Sequence, residues 1–330
     1  MQHGTVASSE DFDMRAMIYG AYGGSEKLEL AEQPRPTPGP GQVLIRVLTS
    51  SVNPVDWKLA SGKLRFIMPV KFPNIPGFDV AGEVAELGPS VQDFSVGARV
   101  HARLSPATGG GSAEFAVAGV DVTALIPKGM EAGAAAALPL AGMTALQGLR
   151  DRAGMPMSGA RERILIVGAS GGVGHLAVQI ARAAGAMVVG VCSGRNATLV
   201  KELGAHEVID YTKPDAYAGQ APFDIILDCV GGSPSPWLPR LAASGRFASC
   251  VPGPSVFARS FVNAITGRKV KAVMLKANAS DLRVLDALVD AGRLRVVIDS
   301  RYPLSDLRGA WERSQSGRAV GKIVVDIAAS

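Results

Sequence analysis

The sequence predicts an α/β chain in which a doubly wound parallel sheet is set into a β-rich domain. Three observations carry this expectation. Strand-like runs with turn punctuation fill residues 15–126, strand and helix patterns alternate from 131 to 276, and an apolar strand closes the chain at 322–327. At 330 residues the chain exceeds one ordinary core, so two domains are expected.

In the first region, QVLIRVLTSSVN (42–53), DVAGEVAELG (79–88), ARVHARL (98–104) and AEFAVAG (113–119) are β-rich runs separated by Gly, Pro and Asp clusters. They imply a twisted, partly closed β domain. EQPRPTPGPG (32–41) reads as a surface loop that proline keeps extended. Helical stretches follow at 131–137 and 140–150. Six apolar runs are then strand candidates: RILIVG (163–168), AMVVGVC (186–192), HEVIDY (206–211), FDIILDC (223–229), GRFASC (245–250) and KVKAVML (269–275). Helical patterns such as HLAVQIARAAG (175–185) and NATLVKELGA (196–205) lie between them, which is the count for a full doubly wound sheet. Beyond 276 come a helix (280–291), a strand (295–299), a helix (305–315) and the strand KIVVDI (322–327). The last two strands are expected to return to the β-rich domain. The expected division is a disordered extension at 1–13, a first domain at 14–131 and 277–330, and an inserted domain at 132–276.

Composition narrows the function. The chain is 47% hydrophobic and 19% charged, as globular proteins are. Its net charge of +5 is spread out, and Lys and Arg never run beyond a doublet, which argues against a nucleic-acid partner. The mild basic excess suits a phosphorylated ligand. Three cysteines without a CxxC pair imply no disulfide framework, hence a reducing, cytoplasmic setting. Residues 1–13 are polar and acidic, unlike a signal peptide. The alanine-rich stretch from Gly133 to Leu149 is interrupted by Pro139 and is too short and small-sided for a membrane span.

The strand RILIVG is followed by Ala169, Ser170, Gly171, Gly172, Val173 and Gly174 and then by a helix. This matches the dinucleotide fingerprint of a Rossmann domain, with Ala in place of the first Gly. Gly171 lets the backbone approach a pyrophosphate, and Gly174 lets the helix pack on the strand. The free N–H groups and dipole at the helix start favour the phosphates. At the tip of the second strand, an NAD site needs an acid for the ribose 2′-OH. This chain has Cys192, Ser193, Gly194, Arg195 and Asn196 there instead. Ser193, Arg195 and Asn196 all offer donors to a 2′-phosphate, so NADPH is the expected cofactor. The alternative role for Ser193 and Asn196 is capping the next helix. The four histidines (His3, His101, His175, His206) are scattered and no cysteine precedes Cys192, so no zinc set is expected.

Taken together, SSVNPVDWKLASGK (50–63), FPNIPGFDVAGEVAELG (72–88), GGGSAEFAVA (109–118), AALPLAGMTALQGL (136–149), GASGGVGHLAVQIARAAGA (168–186), ELGAHEVIDY (202–211) and GRAVGKIVVDI (317–327) resemble the medium-chain dehydrogenase/reductase superfamily. The likeness is to its zinc-free quinone oxidoreductase branch, and NPVDWK, KFP and VIDSRYPLSDLRGAWERSQSGRAVGKIVV resemble chloroplast envelope quinone oxidoreductase homologues and related alkenal/enone reductases. That resemblance implies a GroES-like catalytic domain with the Rossmann domain inserted. Where zinc-dependent relatives carry Gly-His-Glu, this chain has Gly77, Phe78 and Asp79. The resemblance places Asn53 and Lys58 at the nicotinamide end, as catalytic and cofactor-binding residues, and Thr144 at the start of a linking helix beside it. It gives Gly172 and Val173, with Ser170, Gly171 and Gly174, to the pyrophosphate. Ser193, Arg195, Asn196 and Tyr211 go to the 2′-phosphate end, and Arg318 to a C-terminal cofactor contact. The bland alternatives are a turn role for Asn53, with Asp56 as its partner or as an ion-pair mate of Lys58. For Lys58 and Tyr211 they are ordinary surface and strand-end positions, and for Thr144 a place at a helix N-terminus. Many enoyl reductases of the branch carry a Tyr as candidate proton donor where this chain reads SGKLRFIMPVKFP (61–73) and has none. The expected activity is NADPH-dependent reduction of the C=C bond of α,β-unsaturated carbonyls, with quinones as related acceptors. A dedicated quinone reductase and a non-catalytic NADPH-binding protein are the alternatives, and a homodimer or monomer is the expected assembly.

Overall fold

The computed structural model of the protein describes residues 14–105, 109–266 and 269–327, with side chains throughout except at 261–269. The expected extension at 1–13 lies outside them. The chain divides into two compact units. One runs up to Pro139 and takes Ser300–Arg318 and the residues from Ile323 on; the other takes Leu140–Asp299 and Ala319–Lys322. Residues 277–299, which the sequence reading gave to the first domain, thus fall in the second unit.

The first unit opens with an antiparallel hairpin, β1 (Met14–Tyr19) and β2 (Leu28–Gln33). β3 (Gln42–Val52) leads through Asn53 into a short helix, α1 (Pro54–Ala60). That helix was not anticipated: Pro54 opens it, and the Asp56 carboxylate accepts the Asn53 N–H at 2.7 Å. β4 (Asp79–Leu87), β5 (Arg99–Arg103), β6 (Phe115–Gly119), β7 (Thr123–Leu125) and α2 (Ala132–Ala137) follow. Ala135 and Ala136 of α2 pack on Ala81 of β4, and their small side chains let the helix lie close on the sheet.

The second unit begins inside α3 (Pro139–Gln147), which is parted from α2 by the proline that splits the alanine-rich stretch. Next come β8 (Arg163–Val167), α4 (Gly174–Ala184), β9 (Met187–Cys192), α5 (Ala197–Glu202), β10 (Glu207–Asp210), β11 (Phe223–Asp228), β12 (Leu241–Ser249), α6 (Pro254–Thr266), β13 (Lys269–Ala272) and α7 (Ala279–Asp290). The strands form one parallel six-stranded sheet in the order β10-β9-β8-β11-β12-β13. This order reverses between β8 and β11, so a crevice is expected at the carboxyl ends of those strands. Leu165, Val189, Ile226 and Phe247 from the central strands are buried together, which is why these runs read as continuously apolar.

The chain then gives β14 (Ile298–Pro303), α8 (Leu307–Gln315) and β15 (Lys322–Asp326). They complete a seven-stranded sheet ordered β14-β15-β3-β4-β5-β7, with β6 also pairing β3. The run expected as a strand at 295–299 starts three residues later. Residues 295–297 belong to no strand, and their backbone bonds to side chains of α4. Gln179 accepts the Arg295 N–H at 2.8 Å and donates to the Arg295 carbonyl at 2.9 Å, and His175 Nε2 accepts the Val297 N–H at 3.2 Å. His175 and Gln179 stand four apart on one helix face, the spacing that lets both reach the same segment.

Candidate functional site

The turn from β8 to α4 is built on backbone contacts. Gly168 has φ +78°, a left-handed conformation that side chains disfavour. The Gly168 and Ala169 N–H groups donate to the Val191 carbonyl of β9 at 3.1 and 2.9 Å, and Gly171 N–H donates back to Gly168 O at 3.0 Å. A Cβ at Gly174 would sit 2.0 Å from Gly168 O, so helix and strand close to a distance only glycine permits. At Gly171 an added Cβ would meet only Gly168 O, at 3.4 Å. The backbone there is open to an approaching group. Ser170, Gly172 and Val173 are half-buried along the same turn. The cradle fits a dinucleotide pyrophosphate.

Beside the turn lies the tip of β9. Ser193 and Asn196 hold helix-start positions, of a short 3-10 turn and of α5, yet neither side chain makes a capping bond. Asn196 Nδ2 instead donates to Ser170 Oγ at 3.0 Å and so ties this tip to the glycine turn. The Arg195 and Tyr211 side chains are exposed, and the Tyr211 N–H donates to the Cys192 carbonyl at 3.2 Å. The fold also brings an acid here that was not foreseen. Asp210 pairs in register with Cys192, and its carboxylate lies where a Cβ on Gly194 would be, 2.4 Å away. It accepts the Thr212 hydroxyl and N–H at 2.7 and 3.1 Å, and the hydroxyl bond above all holds its pKa below the usual carboxylate value. A phosphate at this tip therefore has a negative neighbour as well as donors. Thr144 is not at a helix start: it sits inside α3 and donates to the Leu140 carbonyl at 2.7 Å.

The first unit holds Asn53, Lys58 and Arg318. Asn53 is buried; its Nδ2 donates to Asp79 Oδ2 at 2.9 Å, and Ser51 Oγ donates to the same oxygen at 3.2 Å. Asp79 faces Arg103 in the β4–β5 register, and Arg103 Nε lies 3.9 Å from Asp79 Oδ1. The buried guanidinium also stacks over Phe78, with 4.6 Å to the ring centroid. Burial lowers the Arg103 pKa, and Asp79 and then Asp56 oppose this. The position where zinc-dependent relatives are expected to keep ligands is thus filled by an organic cation and a phenyl ring. Among the described residues no group of three His, Cys, Asp or Glu side chains is placed to hold a metal ion. This donor set does not fit zinc. Lys58 is half-buried, with its ammonium 5.4 Å from the Trp57 ring centroid; burial and then Lys63 lower its pKa. Trp57 is itself fixed by a 3.1 Å bond to Ser314 Oγ. Arg318 is exposed, and its carbonyl accepts from Arg313 at 3.2 Å.

Comparison with known proteins gives the same architecture. The family described as "Alcohol dehydrogenase GroES-like domain" matches residues 39–137, and the one described as "Zinc-binding dehydrogenase" matches 203–325. The chain is 43% identical to a chloroplast envelope quinone oxidoreductase homolog of Arabidopsis thaliana, over 95% of this chain and 98% of that protein. It is 30% identical to the NADPH-dependent alkenal/one oxidoreductase of the same plant, over 97% of this chain and 81% of that one. A quinone oxidoreductase from Coxiella burnetii superposes with a TM-score of 0.86 at 31% identity, covering 96% of this chain and 99% of that one. No helix among the described residues is long and apolar enough to cross a membrane.

Proposed function

Because this chain belongs to the medium-chain dehydrogenase/reductase superfamily, among the quinone oxidoreductase homologues, we propose that it is an NADPH-dependent reductase of the C=C bond of α,β-unsaturated carbonyls. The oxidoreductase class and a nicotinamide cofactor come with the family; the choice of NADPH and of the acceptor is the proposal. The observation that carries it is the glycine turn joined by Asn196 to a strand tip rich in donors. Bound there, a nicotinamide cofactor would supply hydride to an electron-poor β-carbon whose neighbouring carbonyl takes up the charge.

The chain's own part is positioning and electrostatics. Gly171 and the N-terminal end of α4 hold the pyrophosphate, and Arg195 with Ser193 holds the 2′-phosphate against the nearby Asp210. Asn53 is committed to Asp79 and acts as a brace. Lys58, whose partly buried ammonium gives up its proton more readily than usual, serves the carbonyl end. The names of the relatives support quinones as a second acceptor class.

Two measurements test this reading. Product analysis with NADPH deuterated at C4 should find deuterium on the β-carbon of a saturated ketone. Deuterium on the carbinol carbon of an allylic alcohol would show carbonyl reduction and overturn the proposal, and turnover confined to quinones would restrict it to a quinone reductase. Second, Arg195→Ala should weaken NADPH by roughly ten- to a hundredfold, because a hydrogen bond to a charged group contributes about 1.5–3 kcal/mol. NADH should be nearly unaffected. Equal loss for both cofactors would assign Arg195 to the fold.

A further inference from the structure

Two half-buried thiols lie outside the proposed chemistry. Cys229 directly follows β11 and Cys250 directly follows β12, and these strands are parallel neighbours in the register Asp228↔Ser249. The ladder continues past that pair: the Cys250 N–H donates to Asp228 O at 2.8 Å, and the Cys229 N–H donates to Val167 O at 3.1 Å. At the preceding pair, Ser249 Oγ donates to Asp228 Oδ2 at 3.0 Å across one face of the sheet. One residue on, strand alternation turns both cysteines to the other face. The Cys250 sulfur lies on the side that Leu227 of β11 also faces: a Cβ at Gly148 would be 3.7 Å from Cys250 Sγ and 2.9 Å from Leu227 Cδ1, and Cys229 stands two residues beyond Leu227. Neighbouring strands lie about 4.7–4.9 Å apart, within the roughly 4.4–6.8 Å that a disulfide spans between Cα atoms. The third cysteine, Cys192, is buried at the end of β9.

We propose that Cys229 and Cys250 form a redox-responsive dithiol, which hydroperoxides convert to an intramolecular disulfide that weakens cofactor binding at the adjoining glycine turn. Atoms and electrons balance. The Cys250 sulfur attacks a peroxide oxygen and the O–O bond breaks. The thiol proton ends on the departing oxygen, which leaves as water or an alcohol, and Cys250 becomes a sulfenic acid. Cys229 then attacks that sulfur, the S–S bond forms, and its proton leaves with the hydroxyl as water. Two thiols give up two electrons and the peroxide accepts them. The order follows from the pair. The adjoining Cys250 sulfur, with burial, pushes the Cys229 thiol up, so Cys229 keeps its proton and acts second.

The coupling to the cofactor is steric. A Cβ at Gly168 would lie 3.8 Å from Cys229 Cβ and 2.7 Å from Val230 Cγ2, so the Cys229–Val230 segment forms the wall behind the turn. Drawing Cys229 toward β12 disturbs that wall. This readout rests on the nicotinamide reading above; formation of the disulfide does not.

The test exposes the reduced full-length protein to hydrogen peroxide, counts thiols, maps linked peptides by mass spectrometry and titrates NADPH before and after. Free thiols should fall from the three present in the chain to one, with Cys229 linked to Cys250. NADPH should bind roughly tenfold more weakly, and dithiothreitol should restore both values. Cys250→Ser should keep its NADPH affinity under peroxide. If that variant fails to fold, the wild-type peptide map decides alone. Three persisting thiols, a link through Cys192 or a link between chains would overturn the proposal. A Cys229–Cys250 disulfide with unchanged NADPH affinity would overturn the coupling. The same disulfide in a protein that binds no NADPH in either state would uphold the dithiol and remove the cofactor reading.

Discussion

Gly174→Val will cost the protein its cofactor, with NADPH binding weaker by more than about a hundredfold, and it will lower the melting temperature as well. The reason is local. A Cβ at this position lies 2.0 Å from Gly168 O, 2.7 Å from Gly168 C and 2.9 Å from Ala169 Cα, and all three are backbone atoms that cannot rotate away. The start of α4 must move off β8 by an ångström or so, and overpacking of this kind costs roughly 1–3 kcal/mol or more before any ligand is considered. Gly171→Ala separates the two effects. Its Cβ meets only Gly168 O at 3.4 Å, so the fold is kept, but the methyl group stands at the opening proposed above for the pyrophosphate. Thermal melts should show a loss for Gly174→Val and none for Gly171→Ala, while NADPH titration shows a loss for both. A Gly171→Ala protein that binds NADPH as the wild type does would show that the pyrophosphate does not approach at this residue.

The contrast between these two glycines also marks how far the sequence could be read. The strand–turn–helix around Gly171 and Gly174 was legible because its determinants are contiguous: an apolar run, a glycine spacing and an amphipathic helix. The parallel sheet was legible for the same reason, since each of its strands is a short apolar run of its own. What escaped reading depends on register between separate segments. Arg103 beside Asp79 is a product of the β4–β5 pairing, and nothing in ARVHARL marks that arginine as buried. Asp210 reaches the tip of β9 because it pairs with Cys192 across β9 and β10. An acid was sought at the tip of the second strand, not on its neighbour. Residues 295–297 read as a strand from their apolar character, but side chains of α4 hold their backbone. Helix capping by Ser193 and Asn196 was a fair local reading, and the longer-range bond from Asn196 to Ser170 displaced it.

Between pH 6.5 and pH 4 the protein should lose about 3 kcal/mol of stability through His175 alone. The imidazole is fully buried at the start of α4. Nδ1 lies 2.9 Å from the Gly171 carbonyl and must carry the proton, while Nε2 accepts the Val297 N–H at 3.2 Å and must not. The two contacts together define the neutral ring. A second proton would have to sit on Nε2, against a backbone donor and in an apolar setting. Burial is the main reason that the pKa falls from 6.5 to about 4; the bond to the Gly171 carbonyl opposes it, and the nearby Lys322 and Arg295 cations add to it. In the unfolded chain His175 binds its proton near pH 6.5, whereas in the folded protein it stays neutral until pH 4. The unfolded state therefore holds more protons in this window, and stability falls as the pH drops through it. Above pH 6.5 neither state is protonated, and this residue adds no slope. Urea unfolding at intervals from pH 7.5 to pH 4, for the wild type and for His175→Gln, isolates the effect. Glutamine keeps a donor and an acceptor but does not titrate, so the variant should be less stable at pH 7.5 and should close the gap as the solution is acidified. Parallel curves for the two proteins would show that the buried imidazole is not the group that responds.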